Sequence, residues 1–249
     1  MEKFVTTTSA SLDRFVRDTP DAKLGICTDI EALERLLDVD GRTLVDVGCG
    51  DGALARLLAE RGAEVIGLEP DTVQAKPNLS ALATPGVTLI ETDGRSIPIS
   101  DDTADGVIFS RSLHHVPTAE MPAMLGEARR VLRNDGGRLY ILEPIAKGEL
   151  FYTMQPFHDE TEVRADAYRA LKALVPGLFV REQEFDYTLP VRFASFEVFE
   201  ERMATGASFN RYQPSDIGSD EVRKRFELSR SDEGYCFAQP MRINLLQTA

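Results

Sequence analysis

Two rhythms alternate along this chain: short apolar runs rich in β-branched residues, and stretches where apolar positions return at helical spacing. Leu44, Val45 and Val47 form the first clear run, and Leu54, Leu57 and Leu58 then predict a helix with one buried stripe that stops at Gly62. Val65, Ile66 and Leu68 predict a second strand, residues 87–91 a third, and Val107, Ile108 and Phe109, opened by Asp105, a fourth. A helix ending at Leu132 leads into a fifth strand over residues 137–143. Strand, helix and strand in succession predict an α/β fold with a largely parallel sheet.

The flanks are less regular. Residues 1–20 are polar, with a short amphipathic piece at Leu12, Phe15 and Val16, and read as a partial lid. Thr28 and Glu31 make a capping box, followed by Ile30, Leu33, Leu36 and Leu37 on one helical face. Pro77 makes residues 71–84 an irregular helix, because proline removes a donor from the ladder. Past Pro144, Val163, Ala167, Leu171 and Leu174 predict an amphipathic helix over 159–174. Residues 178–189 and 235–246 predict a sixth and a last strand, with an insertion over about 190–234 that caps the strand ends. The chain reads as one domain, 1–249, divided into an N-terminal part (1–40), a core (41–145) and a C-terminal half (146–249).

The first strand ends in Gly48, Gly50 and Gly52, with a helix directly after. Alternate glycines permit positive φ and let a ligand approach main-chain N–H groups, so the loop reads as a binding surface. Gly48, Gly50 and Ala53 also fit the dinucleotide fingerprint, and the glycines alone leave the ligand open. Asp46 tilts the choice. A carboxylate at the strand tip repels a pyrophosphate and suits an ammonium, the group at the amino-acid end of S-adenosylmethionine. Glu69, at the tip of the second strand, stands where both nucleotide folds place the acid that grips ribose hydroxyls.

The stretch Asp46-Val47-Gly48-Cys49-Gly50-Asp51-Gly52 resembles the first motif of the class I S-adenosylmethionine-dependent methyltransferases. Residues 103–116, with Leu113-His114-His115, followed by Glu127-Ala128-Arg129-Arg130-Val131-Leu132 and Gly136-Gly137, resemble the small-molecule group that includes the ubiquinone and menaquinone C-methyltransferases. The resemblance covers roughly residues 40–145. It implies a Rossmann-like three-layer sandwich, with a seven-stranded, mostly parallel sheet and an antiparallel last strand. It also implies S-adenosylmethionine as cofactor, leaving as S-adenosylhomocysteine, with Asp46, Gly48, Cys49, Gly50, Glu69, Pro70, Asp93, Gly94, Ser110 and Arg111 around it. Asp93 would take the adenine amino group, with Ile97 helping to cover the ring; Asp93-Gly94 read alone is a turn.

Methyl transfer from a sulfonium needs orientation above all, and a base only where the acceptor must lose a proton. His114 and His115 are the candidate bases, while His158 reads as a capping or surface residue. Tyr152, Phe157, Arg192, Phe196, Arg211 and Tyr212 suggest an aromatic acceptor pocket with a cationic end, suited to a planar or carboxylated small molecule.

Charge narrows the acceptor. The net charge of −13 and pI near 4.8 disfavour a broad polyanion surface. Of the basic group Arg129, Arg130, Arg133 and Arg138, three fall on one helix end, where cations complement the helix dipole. Cys27, Cys49 and Cys236 have neither disulfide nor zinc spacing, and no metal site is expected. With no leader-like segment and no apolar run of about 18 residues, a cytoplasmic protein without a membrane span is expected, as monomer or homodimer. Three rivals stand beside the small-molecule methyltransferase: a tRNA base methyltransferase, a non-catalytic S-adenosylmethionine-binding protein, and a nicotinamide oxidoreductase using Tyr168 and Lys172.

Overall fold

A computed structural model describes residues 22–80, 83–206, 210 and 212–249. The expected lid over 1–20 and the pocket residue Arg211 lie outside these residues. Chain order runs β1 (Lys23–Ile26), α1 (Asp29–Leu36), β2 (Thr43–Val47), α2 (Ala53–Ala59), β3 (Glu64–Leu68), α3 (Thr72–Ser80), β4 (Val87–Ile90) and β5 (Gly106–Ser110). After a 3-10 turn at Leu113–His115 come α4 (Met121–Val131), β6 (Arg138–Pro144), α5 (Glu149–Met154), α6 (Thr161–Leu178) and β7 (Arg181–Phe193). The chain continues through α7 (Phe196–Gly206), α8 (Pro214–Ile217), α9 (Asp220–Glu227), β8 (Arg230–Ser231) and β9 (Gly234–Gln247).

The sheet order is β1-β7-β9-β6-β5-β2-β3-β4, with β8 paired to β9. Pairing is parallel except around β9, which runs antiparallel to β6, β7 and β8. The order reverses between β2 and β5, and in open α/β sheets ligands bind in the crevice at such a switch point.

The sheet is nine-stranded, where seven strands were expected. The seven are present, and the additions are β1, on the edge of β7, and β8, a two-residue partner of β9. β1 is four residues long with Gly25 at φ 73, and has no alternation to read; it becomes a strand because β7 presents an open edge. β7 also runs on to Phe193, so the cap insertion begins after that residue and the two longest strands form a ribbon that carries it.

Core packing follows the apolar pattern, with two local corrections. One cluster fills the face under α1 and α2 with Leu33, Leu36, Leu44, Leu58 and Val65, and a second fills the face under α4 and α6 with Val45, Phe109, Leu125, Leu139 and Leu171. On α2 the buried residues are Ala55 and Leu58, while Leu57 turns outward. On α6 the buried stripe is Ala167, Leu171 and Val175, leaving Val163 exposed. A third cluster belongs to the cap, where Phe193, Phe196, Phe199, Phe226 and Phe237 pack around one another. No helix among the described residues is long and apolar enough to cross a membrane.

Candidate active site

The C-terminal tips of β2, β3, β5 and β6 supply the site. Asp46 sits one residue before the end of β2, paired with Gly67 on one side and Ile108 on the other, so its side chain is enclosed by three strands. It is 1% exposed, and neither carboxylate oxygen has a hydrogen-bond partner among the described residues. Burial, and then the charge of nearby Glu69, push its pKa up to about 7.

Gly48, Gly50 and Gly52 hold φ values of 74°, 56° and 75°, and a Cβ on Gly48 would stand 2.5 Å from that of Ser112. The amides of Gly48 and Cys49 both donate to the Leu68 carbonyl, Gly50 donates to Glu69 Oε2, Gly52 to the Cys49 carbonyl and Ala53 to Asp51. Loop donors are thus engaged internally, while an acid beside them lacks a donor. A pyrophosphate needs the reverse arrangement. The residues fit a cofactor that brings an ammonium.

Glu69 is buried, with Oε2 accepting from Gly50 N at 2.8 Å and Oε1 from Asp71 N at 2.9 Å. Each oxygen keeps a second lone pair for a ribose hydroxyl. Exposed Pro70 follows it. Cys49 packs its sulfur over Gly67, where an added Cβ would lie 2.9 Å away, and burial pushes the thiol up to about 12, so it remains protonated. Asp93 accepts from Arg95, from the backbone N–H and from the guanidinium at 2.6 Å, closing the turn that the dipeptide suggests. Gly94 packs against Val47 and Met124, leaving no room for a Cβ, and Ile97 is buried in the same cluster.

Ser110 ends β5, and Arg111 follows with φ 56, an uncommon conformation for a residue with a side chain. The Arg111 guanidinium pairs with Asp29 of α1, which also accepts from the Tyr187 hydroxyl. Asp29 escapes sequence reasoning because it looks like an ordinary first-turn helix acid.

Beyond this loop the three histidines of the chain converge. His114 is buried, with Nδ1 on Glu143 at the end of β6 and Nε2 3.4 Å from Glu160. His158 Nε2 lies 3.1 Å from the same Glu160 oxygen. Burial opposes a charge on His114, yet Glu143 and Glu160 outweigh it and raise its pKa to about 9. His115, its ring centroid 4.1 Å from that of His114, is held low by surrounding protein and by the His114 charge, and is neutral at pH 7. His158 is therefore no surface cap. Glu143 and Glu160 give no sign in the sequence, since their partners come from the loop after β5.

A cavity of about 260 Å³ lies beside this cluster, between the sheet tips and the cap. Phe151, Leu189, Val191 and Phe193 form its apolar wall, and Arg111, Arg164, Arg202 and His158 its polar one. The aromatic and cationic character matches the expectation, but the residues differ. Phe196 and Tyr212 belong to the cap core and Tyr152 is exposed, while Arg192 faces outward to Glu233. Phe157 stacks edge-on to Tyr212. Spacing in sequence cannot tell the two faces of a cap helix apart before the cap is folded. The Tyr168 and Lys172 pair of the oxidoreductase rival bonds to Glu184 and Glu182, away from the glycine loop.

Residues 44–136 match the methyltransferase domain family. Over that stretch the chain is similar to a methyltransferase domain. Among its relatives, an uncharacterized methyltransferase of Mycobacteroides abscessus is 30% identical over 128 residues, covering 50% of this chain and 48% of that protein. The chain thus spans about half the length of the curated relatives it matches. A solved structure from Anabaena variabilis, named as a methyltransferase from an antibiotic biosynthesis pathway, superposes with a TM-score of 0.58 at 17% identity over 82% of this chain and 90% of that one. The YcgJ protein of Bacillus subtilis gives 0.53 at 16% identity over 85% and 93%. These two share the fold. The matched methyltransferase domain holds Asp46, Glu69 and His114, whereas Glu143, His158, Glu160 and Arg164 lie beyond it.

Proposed function

We propose that the protein transfers the methyl group of S-adenosylmethionine to a small-molecule acceptor with an anionic group on an apolar body. The observation that carries this reading is Arg164. Its Nε and Nη1 are buried with no partner among the described residues, and its Nη2 bonds to Glu160 at 2.5 Å. A buried guanidinium with open donors is matched by an acceptor such as a carboxylate or similar anion. Arg111 and Arg202 add positive charge to the same wall. The cavity volume suits a small molecule. Of the basic residues near α4, Arg130 is tied to Glu127 and Asp101 and Arg133 to Asp105, which disfavours a tRNA acceptor.

When bound, S-adenosylmethionine supplies a methyl group already activated on sulfur. Asp46 holds its ammonium and Glu69 its ribose, while Asp93 and Gly94 border the adenine side and Ser110 with Arg111 the loop toward the acceptor. Arg164 orients the acceptor, and neutral His115 takes a proton where the acceptor must release one. The acidic charge and three free cysteines agree with a cytoplasmic protein.

The test is methyl transfer from labelled cofactor to pairs of aromatic acids and their neutral amides. Only the acids are expected to accept methyl. In Arg164→Met, the KM for the acid is expected to rise by roughly tenfold or more, with cofactor affinity unchanged. Equal use of acid and amide rules out the anionic acceptor.

A further inference from the structure

The histidine cluster has more ligand chemistry than proton transfer requires. His114, His115 and Glu160 each offer a donor atom, and these atoms all lie within 4.8 Å of one another. His158 Nε2 stands 3.1 Å from Glu160 Oε1, and His114 Nε2 stands 3.4 Å from it. Two ligands on a tetrahedral zinc, at about 2.0–2.1 Å from the metal, are separated by about 3.3 Å. The two nitrogens facing Glu160 stand near that spacing without an ion in place.

The surroundings are those of a metal centre as well. Metal-binding histidines characteristically donate their second ring N–H to a carboxylate, which sets the tautomer and turns the free nitrogen inward. Here Glu143 accepts from Nδ1 of His114, leaving Nε2 toward Glu160. Glu160 is held in turn, with Arg164 on its other oxygen at 2.5 Å, and His158 is fixed edge-on against Tyr212 at 5.1 Å. The cluster joins two segments, the turn after β5 and the residues before α6, so no ligand spacing shows in the sequence. His158 also lines the cavity, giving the centre an open side toward the acceptor.

We infer that His114, His115 and Glu160 form a three-ligand binding site for a divalent first-row transition metal ion, zinc above all, at the floor of the acceptor cavity, with His158 beside Glu160 on its open side. Imidazole nitrogen selects zinc and its neighbours over magnesium, which takes oxygen ligands. On binding, the ion replaces the proton that joins Nε2 of His114 to Glu160, and that proton leaves to solvent. The open side would receive an oxygen or nitrogen of the acceptor, and while the ion is held His115 is a ligand and not the proton acceptor. Only this last assignment rests on the proposed methyl transfer; the ligand set does not.

The test uses the whole protein, stripped with chelator and titrated calorimetrically with zinc chloride, magnesium chloride and, separately, S-adenosylmethionine. One equivalent of zinc is expected to bind and magnesium not. Glu160→Gln and His115→Asn are each expected to weaken zinc by roughly tenfold or more. His115 is exposed, so its replacement leaves the fold intact, and unchanged S-adenosylmethionine binding verifies both variants. Zinc binding without S-adenosylmethionine binding upholds the metal site and removes the cofactor reading. No zinc binding in protein that still takes S-adenosylmethionine overturns the metal site alone, as does zinc binding undiminished by both substitutions.

Discussion

Asp46→Ala and Glu69→Ala are each expected to weaken S-adenosylmethionine binding by roughly tenfold or more in calorimetric titration, the loss that follows from removing a charged hydrogen-bond partner. The two differ in what they do to the cofactor-free protein. Glu69 secures the amides of Gly50 and Asp71, so its removal leaves two donors unpaired and lowers the melting temperature. Asp46 secures nothing among the described residues. Its pKa is raised in the fold from 3.8 to about 7, so the stability it contributes is fully present below pH about 4 and is lost as pH rises to about 7. At pH 8, Asp46→Asn is therefore expected to raise the melting temperature while it weakens the cofactor. A residue serving structure alone would lower both. The same shift sets a pH dependence, because an ammonium needs the ionised acid. Cofactor affinity is expected to fall as pH drops below about 7, approaching tenfold per pH unit. A flat profile from pH 5 to 8, or a stable Asp46→Asn protein with unchanged affinity, removes Asp46 from the ammonium site.

Phe226→Ala has the largest expected effect on stability. Phe226 is fully buried at the centre of the cap, with the ring of Tyr235 at 4.3 Å and those of Phe196, Phe199 and Phe237 at 5.1 to 5.2 Å. Truncating a phenylalanine in such a core costs about 3–5 kcal/mol. For a chain of this size that corresponds to a fall of roughly 10 °C in melting temperature. The cap shares its cluster with Leu189 and Met154, which line the acceptor cavity, and not with the glycine loop. The acceptor KM is expected to rise while S-adenosylmethionine binding at 20 °C persists. Loss of cofactor binding in a folded Phe226→Ala protein would show instead that cap and loop form a single cooperative unit.

The strand, glycine loop and helix at residues 43–59 were legible because their determinants are local. A β-branched run, alternate glycines and a helical stripe within residues 43–59 specify strand, turn and helix wherever they stand, and Asp46 and Glu69 are placed by position on strand tips. The resemblance then carried the mostly parallel sheet with its antiparallel last strand, and the cofactor. Errors arose where neighbours in space decide an outcome. Leu57 sits at helical spacing with Leu54 but faces outward, because the sheet lies against Ala55 and Leu58.

The sequence by itself determined the α/β class, the glycine loop, the acids at the first two strand tips and the acidic net charge. Tertiary structure alone decided the acceptor side. Burial strands Asp46 without a donor and Arg164 with two unused ones, and the strength of each as a ligand group comes from the water it has lost. His114 and His158 stand far apart in the chain and meet only when α6 docks beside the turn after β5, with Glu160 between them. A side chain's identity is local, but its charge state and partners belong to the folded neighbourhood.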